Sequence, residues 1–563
     1  MTTTTTPTRR RARAGTTITL ALTLGLFASC SSTSTSGTAG GASSTSGTAK
    51  AGIDNQGLAD DANPVDGGKL VIAVANETNG WNPTVNQWAQ WGSVVGSSVL
   101  EPLAVLDDQA QPHPWLAEKF EPNATFDTWT LTLRQDVTFH DGTKFDAAAV
   151  KRNIDNAVKA PLSGAAIGAL FKLVTVVDPY TVKVELTQPW AAFPSSYLAG
   201  QSAMQMSPAS LDSPDVGQKH PVGTGPFVFD EWKPDAHFRA KKNPTYWRKG
   251  EPHVDQIEFR VIVDPVAQVN ALKARDVDMV FTTSAVAARD TKDDYSIVRN
   301  YETEPAMIIT NTLPQVNGKP NAMGNLHARL ALAYATDRKA LAAILGDDVK
   351  TPTSPFSPDN PWGQPEDQNG YPVTDLAKAK QEVEEYKKET GESTLTLKLT
   401  GSLDPQSNQV LQVVQEQWKA AGVEATIENI ETAAFIPRVV SGDYQAALFP
   451  IYTSPDPDQN WYFWTSTNAN GQGAVSINFS QFKSEKIDAA LATGRQSPSI
   501  PERKAAYSAL VKELNANAVN IWLYWTPYAL ISQKTVHGLK EVATTPFATF
   551  QPKTWFGRLW LEH

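Results

Sequence analysis

The sequence predicts a mixed α/β protein. Three observations carry that expectation: short β-branched apolar runs, strictly alternating polar–apolar segments, and longer alanine- and leucine-rich stretches with helical periodicity, following one another through most of the 563 residues. Hydrophobic residues make up 41% and charged residues 19%, enough apolar material for several packed cores, and the length suggests more than one folding unit.

Taken in order, residues 69–75 (KLVIAVA) read as a buried strand. Residues 128–134 (TWTLTLR) alternate polar and apolar, the pattern of a strand with one wet face. His140, Asp141, Gly142 and Thr143 make a tight turn, because Asp-Gly accepts positive φ at low cost. Asp146 is then placed to cap a helix running to about residue 158. Further helices are expected over 327–338, 376–389, 410–421 and 501–516, the last with Pro501 at a permitted first position. Strands are expected over 424–430 and 520–525. No internal repeat is visible, and no linker as loose as residues 31–52 recurs, so the domains are expected to interleave.

The first thirty residues read as an export signal. Arg9, Arg10, Arg11 and Arg13 precede an uncharged stretch over 14–29, shorter than the roughly 20 apolar residues that span a bilayer as a helix. Phe27, Ala28 and Ser29 lead into Cys30, the chain's one cysteine, which rules out an intramolecular disulfide. The segment resembles a bacterial lipobox, in which the thiol is lipidated and becomes the new N-terminus. Phe27 departs from the usual aliphatic residue, and an ordinary signal peptide with an incidental cysteine is the alternative. Residues 31–52 are almost wholly Ser, Thr, Gly and Ala, a flexible tether with a reach on the order of 25 Å.

The formal charge is −10, and the four arginines are the only charges before residue 30, so the remainder is more acidic still. An acidic body repels phosphate backbones, which argues against nucleic acid as a partner. The eight histidines form none of the close pairs of a helical zinc site. Neither a Gly-x-Ser-x-Gly elbow nor a phosphate-cradling Gly-x-x-x-x-Gly-Lys-Ser/Thr occurs, and Gly223-Thr224-Gly225 between prolines reads as a tight backbone passage. Neither an enzyme, a cofactor nor a metal is expected.

Five segments in order resemble the peptide- and nickel-binding proteins of ABC importers. They are 129–134 with 137–142, 221–226 with 243–247, the helix 327–338 with its arginine and terminal Asp-Arg pair, 415–423, and 441–444 leading to Pro455-Asp456-Pro457. The resemblance implies a two-lobed periplasmic-binding-protein fold of the large three-domain type, with a ligand cleft between lobes. It implies a signal peptide over 1–29, a lipidated tether over 30–67, a first lobe over 68–305 and 519–563 whose second subdomain spans about 98–212, and a second lobe over 306–518. The chain would cross between lobes near 305 and return near 518. The implied function is capture of peptides or a related solute and delivery to a membrane permease, from a lipid anchor on the extracytoplasmic face of the cell membrane. A non-transporting envelope lipoprotein of the same fold is the alternative.

The same resemblance places ligand-binding residues. Trp81, Trp88 and Trp91 fall where the first lobe lines its pocket, and Tyr452, Trp461 and Trp464 flank the closing lobe's pocket loop. Flat rings suit peptide side chains and sugar rings alike, and equally suit a packed core. Asn311 matches an asparagine near the lobe crossing that would meet a peptide backbone or cap a strand. Peptide binders commonly carry an aspartate two or three residues before the Pro-Asp-Pro segment, where it holds the ligand's ammonium. Here Thr453 and Ser454 stand in those places, and only Asp456 could substitute. Cys30→Ser should move the protein from the membrane to the soluble fraction, because the tether alone has little membrane affinity; retention after a high-salt wash would overturn the anchor.

Overall fold

The computed structural model describes residues 58, 63–86, 88, 90–107, 109–161, 163–300, 304–346, 348–358, 360–451, 454–539 and 555–562. Three larger sheets organise them. Lys69–Val74 is the parallel centre of a seven-stranded sheet, between Gln256–Val261 and Met279–Thr282, with Tyr528–Ser532 and Ser296–Asn300 beyond the latter. Five of its six residues are buried, as a strand covered on both faces requires. Thr128–Leu133 lies in a four-stranded antiparallel sheet with Ala117–Pro122, Thr181–Leu186 and Phe171–Asp178, and its burial alternates as its sequence does. The five-stranded sheet runs Val423–Ile430, Leu395–Ser402, Ala446–Pro450, Pro305–Thr310, Asn520–Trp525.

The chain passes from the seven-stranded to the five-stranded sheet between Asn300 and Pro305. It returns to the seven-stranded sheet between Trp525 and Tyr528, since Asn520–Trp525 pairs with Pro305–Thr310. Glu304 joins the two passages: its carbonyl accepts from Thr526 N at 2.8 Å and its carboxylate from the Tyr528 hydroxyl at 3.0 Å.

Helix starts follow their caps. The Asp146 side chain accepts from Ala149 N at 2.9 Å and opens Ala147–Lys159. Asp375 opens Leu376–Thr390, which ends at Gly391 in the left-handed region. Pro405–Ala420 begins earlier than its apolar periodicity suggests, since Asp404 caps it and Pro405 occupies the first position. The segment expected as one helix over 327–338 is two. Leu326–Ala335 stops at extended Thr336, and Asp337 caps a new helix, Arg338–Leu345. Arg329 in the first of these is buried with no carboxylate partner among the described residues; its guanidinium donates to the carbonyls of Asn517 at 2.8 Å and Met323 at 2.7 Å, and burial lowers its pKa to about 10.

The passage Gly223-Thr224-Gly225 is where the seven- and four-stranded sheets are joined. A Cβ at Gly223 would lie 2.1 Å from the Val99 carbonyl oxygen and one at Gly225 2.7 Å, so only glycine permits this approach. Glu101, fully buried, accepts from Thr224 Oγ1 at 2.8 Å, Tyr246 OH at 2.7 Å, Trp115 Nε1 at 2.9 Å and Trp247 Nε1 at 3.2 Å. On the other side, His140 Nε2 donates to Gly225 O at 2.9 Å while Nδ1 accepts from Gly223 N at 3.3 Å, a pattern that requires the neutral ring. The His-Asp-Gly turn is therefore a wall of this passage.

Burial pushes the Glu101 carboxyl up to about 7 against the four donors, and burial pushes His140 down to about 4. The folded protein keeps the Glu101 proton that the unfolded chain releases near 4.5, so this group's contribution falls as pH rises from about 4.5 to 7. The unfolded chain protonates His140 near 6.5 and the folded protein only near 4, so that contribution is lost as pH falls through this window. The two slopes oppose each other. In Glu101→Gln, which should cost about 1–3 kcal/mol by turning an amide N–H toward donors, the unfolding free energy should climb with pH across that range; in His140→Gln it should decline. Denaturant unfolding at several pH values measures both.

Candidate ligand site

The loop after Ala446–Pro450 carries the Pro455-Asp456-Pro457 segment into a single 3₁₀ stretch, Pro457–Phe463, capped by the Asp456 side chain on Asp458 N at 3.0 Å. Both aspartates are fully buried, and each meets an arginine from the helices that follow. Arg503 of Ile500–Ala516 places Nη2 at 2.6 and 2.8 Å from the two Asp456 oxygens and sends Nε to Gly494 O at 2.6 Å. Arg495 of Glu485–Gln496 places Nε 3.0 Å from Asp458 Oδ1. Burial alone would lower the Arg503 pKa; the Asp456 charge outweighs it and holds the guanidinium above its ordinary value.

Aromatic faces cover both guanidiniums. Arg503 lies over Trp362 at 4.6 Å, and Arg495 lies over Trp461 at 4.3 Å and Trp190 at 5.2 Å. Trp362 also donates to the Pro455 carbonyl at 2.6 Å, so the loop is pinned at its first proline. Ser454 N donates to Asn460 Oδ1 at 2.8 Å. Trp464 packs edge-on against Phe356 at 5.9 Å. Its Nε1 and the Asn520 Oδ1 have no partner among the described residues, and both side chains border one recess together with Ile451, Phe463 and Phe479.

Residues 111–473 match the bacterial extracellular solute-binding proteins, family 5. The chain belongs to that family. It is a two-lobed solute receptor of an ABC importer, of the class that binds peptides or related solutes. Across 426 residues the receptor is 28% identical to the glutathione-binding protein GsiB of Salmonella paratyphi A, covering 73% of this chain and 80% of that one. In fold it is similar to DppA of Helicobacter pylori in complex with the peptide STSA, at TM-score 0.76 and 20% identity over 89% of this chain and 99% of that one. It is equally similar to AgaA of A. tumefaciens R10 in complex with agropinic acid, at TM-score 0.76 and 23% identity over 88% and 99%.

The residues singled out from the sequence are not gathered in one place. Trp81 and Trp88 are buried in the core against the seven-stranded sheet: Trp81 lies 4.6 Å from Phe238, and Trp88 donates to Gly80 O at 3.0 Å. Trp91 meets Phe281 at 4.3 Å and Tyr528 at 6.2 Å, which brings it beside the passage between sheets. Asn311 is buried at the end of Pro305–Thr310, with both amide N–H groups engaged at 2.9 Å by the carbonyls of Gly442 and Tyr444. Ser454, Asp456, Trp461 and Trp464 share the loop region. Tyr452 and Cys30 lie outside the described residues.

Sequence reasoning misses Arg495 and Arg503, the two residues that define the loop's electrostatics. The available signal is two arginines eight positions apart in alanine-rich helices, matched in number to Asp456 and Asp458. Asp456→Asn should cost about 3–5 kcal/mol, because it strands the Arg503 charge in the interior. Adding Arg503→Met should recover much of that loss; a denaturant-melt double-mutant cycle showing simple additivity would contradict the pairing.

Proposed function

We propose that the receptor takes up peptides or related solutes whose recognition does not depend on a free amino terminus held by a loop carboxylate. The observation that carries this reading is the state of Asp456. Its oxygens already accept from Arg503, from the Ser195 hydroxyl and from Asp458 N, with no exposed surface. Ser454 and Thr453, where peptide binders commonly place the anchoring aspartate, are uncharged. An ammonium entering the cleft would therefore lose its water without gaining a charged partner.

In this reading the first lobe holds the seven- and four-stranded sheets, the second holds the five-stranded sheet, and the solute lies between them. Tyr452, Trp461 and Trp464 supply ring contacts. The glutathione of GsiB, the STSA peptide of DppA and the agropinic acid of AgaA mark the range of solutes that fit. Delivery runs to a membrane permease, without catalysis, from a Cys30 lipid anchor outside the cytoplasm. Calorimetry with matched free and N-acetylated peptides tests the proposal: the acetylated forms should bind at least as tightly, and a ten-fold preference for free amino termini would overturn it.

A further inference from the structure

The residues around Asp456 and Asp458 do more than stabilise a loop, because their remaining hydrogen-bonding capacity is taken by the other lobe. Trp190 Nε1 donates to Asp458 Oδ2 at 2.6 Å, and the Ser195 hydroxyl donates to Asp456 Oδ2. Gln459 Nε2 donates to the Ser195 carbonyl at 2.5 Å, and Ala192 N donates to the Arg495 carbonyl at 3.1 Å. All four bonds join one short segment, 190–195, to the loop and helix of the second lobe. That segment is firmly rooted on its own side. Phe193 stacks on Tyr197 at 5.5 Å with planes 17° apart, Trp190 meets Phe193 at 5.3 Å, and all three rings belong to the core of the four-stranded sheet.

We propose that segment 190–195 and the Asp456–Gln459 loop form a latch that holds the lobes shut, so that Trp190 and Ser195 set ligand affinity without touching ligand. The chemistry suits a reversible catch. Both carboxylates keep their arginines within the second lobe, so opening strands no charge. What opening gives up is two charge-assisted bonds from an indole and a hydroxyl, two neutral bonds and the Arg495–Trp190 face contact, and water replaces the hydrogen bonds readily once the faces part. A buried ion pair straddling the two lobes would instead have made opening prohibitive. Shifting the closed fraction changes apparent affinity in proportion, whatever the solute.

The test uses the full chain with no ligand added, so its outcome is independent of which solute the receptor carries. Trp190→Phe and Ser195→Ala should each enlarge the radius of gyration in small-angle scattering. They should also speed amide exchange in 190–196 and 456–464 several-fold, while leaving exchange in 69–74 and 395–402 unchanged. Ser195→Thr, which keeps the hydroxyl, should behave as the parent protein. Should Trp190→Phe fold poorly, Ser195→Ala and Gln459→Ala carry the same expectation. Folded variants with unchanged scattering and unchanged exchange at both segments would overturn the latch.

Discussion

A buried carboxylate gathers the chain where the seven- and four-stranded sheets meet. Glu101 sits where the chain leaves the seven-stranded sheet for the four-stranded one, and the donors it gathers come from Trp115, Thr224, Tyr246 and Trp247, residues far apart in sequence. An unsatisfied buried oxygen would cost about as much as a well-made hydrogen bond contributes, so each donor must stay in place for the others to be worth making. The glycines on either side of Thr224 exist to let this happen: without a Cβ, the backbone can lie against Val99 closely enough for the threonine hydroxyl to reach Glu101. His140 closes the opposite wall as a neutral ring.

The Pro455–Pro457 loop solves burial differently. Asp456 and Asp458 are as inaccessible as Glu101, yet each is compensated by a full opposite charge rather than by neutral dipoles. The difference fits their positions. Glu101 is met by neutral donors at fixed distances. The two aspartates face Trp190 and Ser195 from another part of the chain, and local arginines compensate their charge. Aromatic rings over both guanidiniums supply contact without competing for the carboxylates.

Most of the secondary structure is legible in the sequence because period and caps agree. Thr128–Leu133 alternates with the pleat, and Asp146, Asp375 and Asp404 each stand where a helix begins. The break at Thr336 is hidden because alanine and leucine continue on both sides of Asp337, so composition argues for continuity while the cap dictates a restart. The site is less legible. A tryptophan looks the same in sequence whether it packs a core, as Trp81 and Trp88 do, or covers a guanidinium, as Trp461 does. The Asp456–Arg503 pairing spans 47 positions and two helices, and no local pattern links such partners. The pairing of Asn520–Trp525 with Pro305–Thr310 is hidden for the same reason, since more than two hundred positions separate the strands.

The return passage between sheets is only two residues long, Thr526 and Pro527, between strands of different sheets. Proline fixes one torsion there, and Thr526 N is tied to the Glu304 carbonyl in the neighbouring passage. Few rotatable bonds remain at the pivot. The two sheets are thereby tied to each other through a backbone segment with little torsional freedom of its own. The relative orientation of the two sheets is therefore set locally by the backbone angles of Thr526 and Pro527 and by the Glu304 contact.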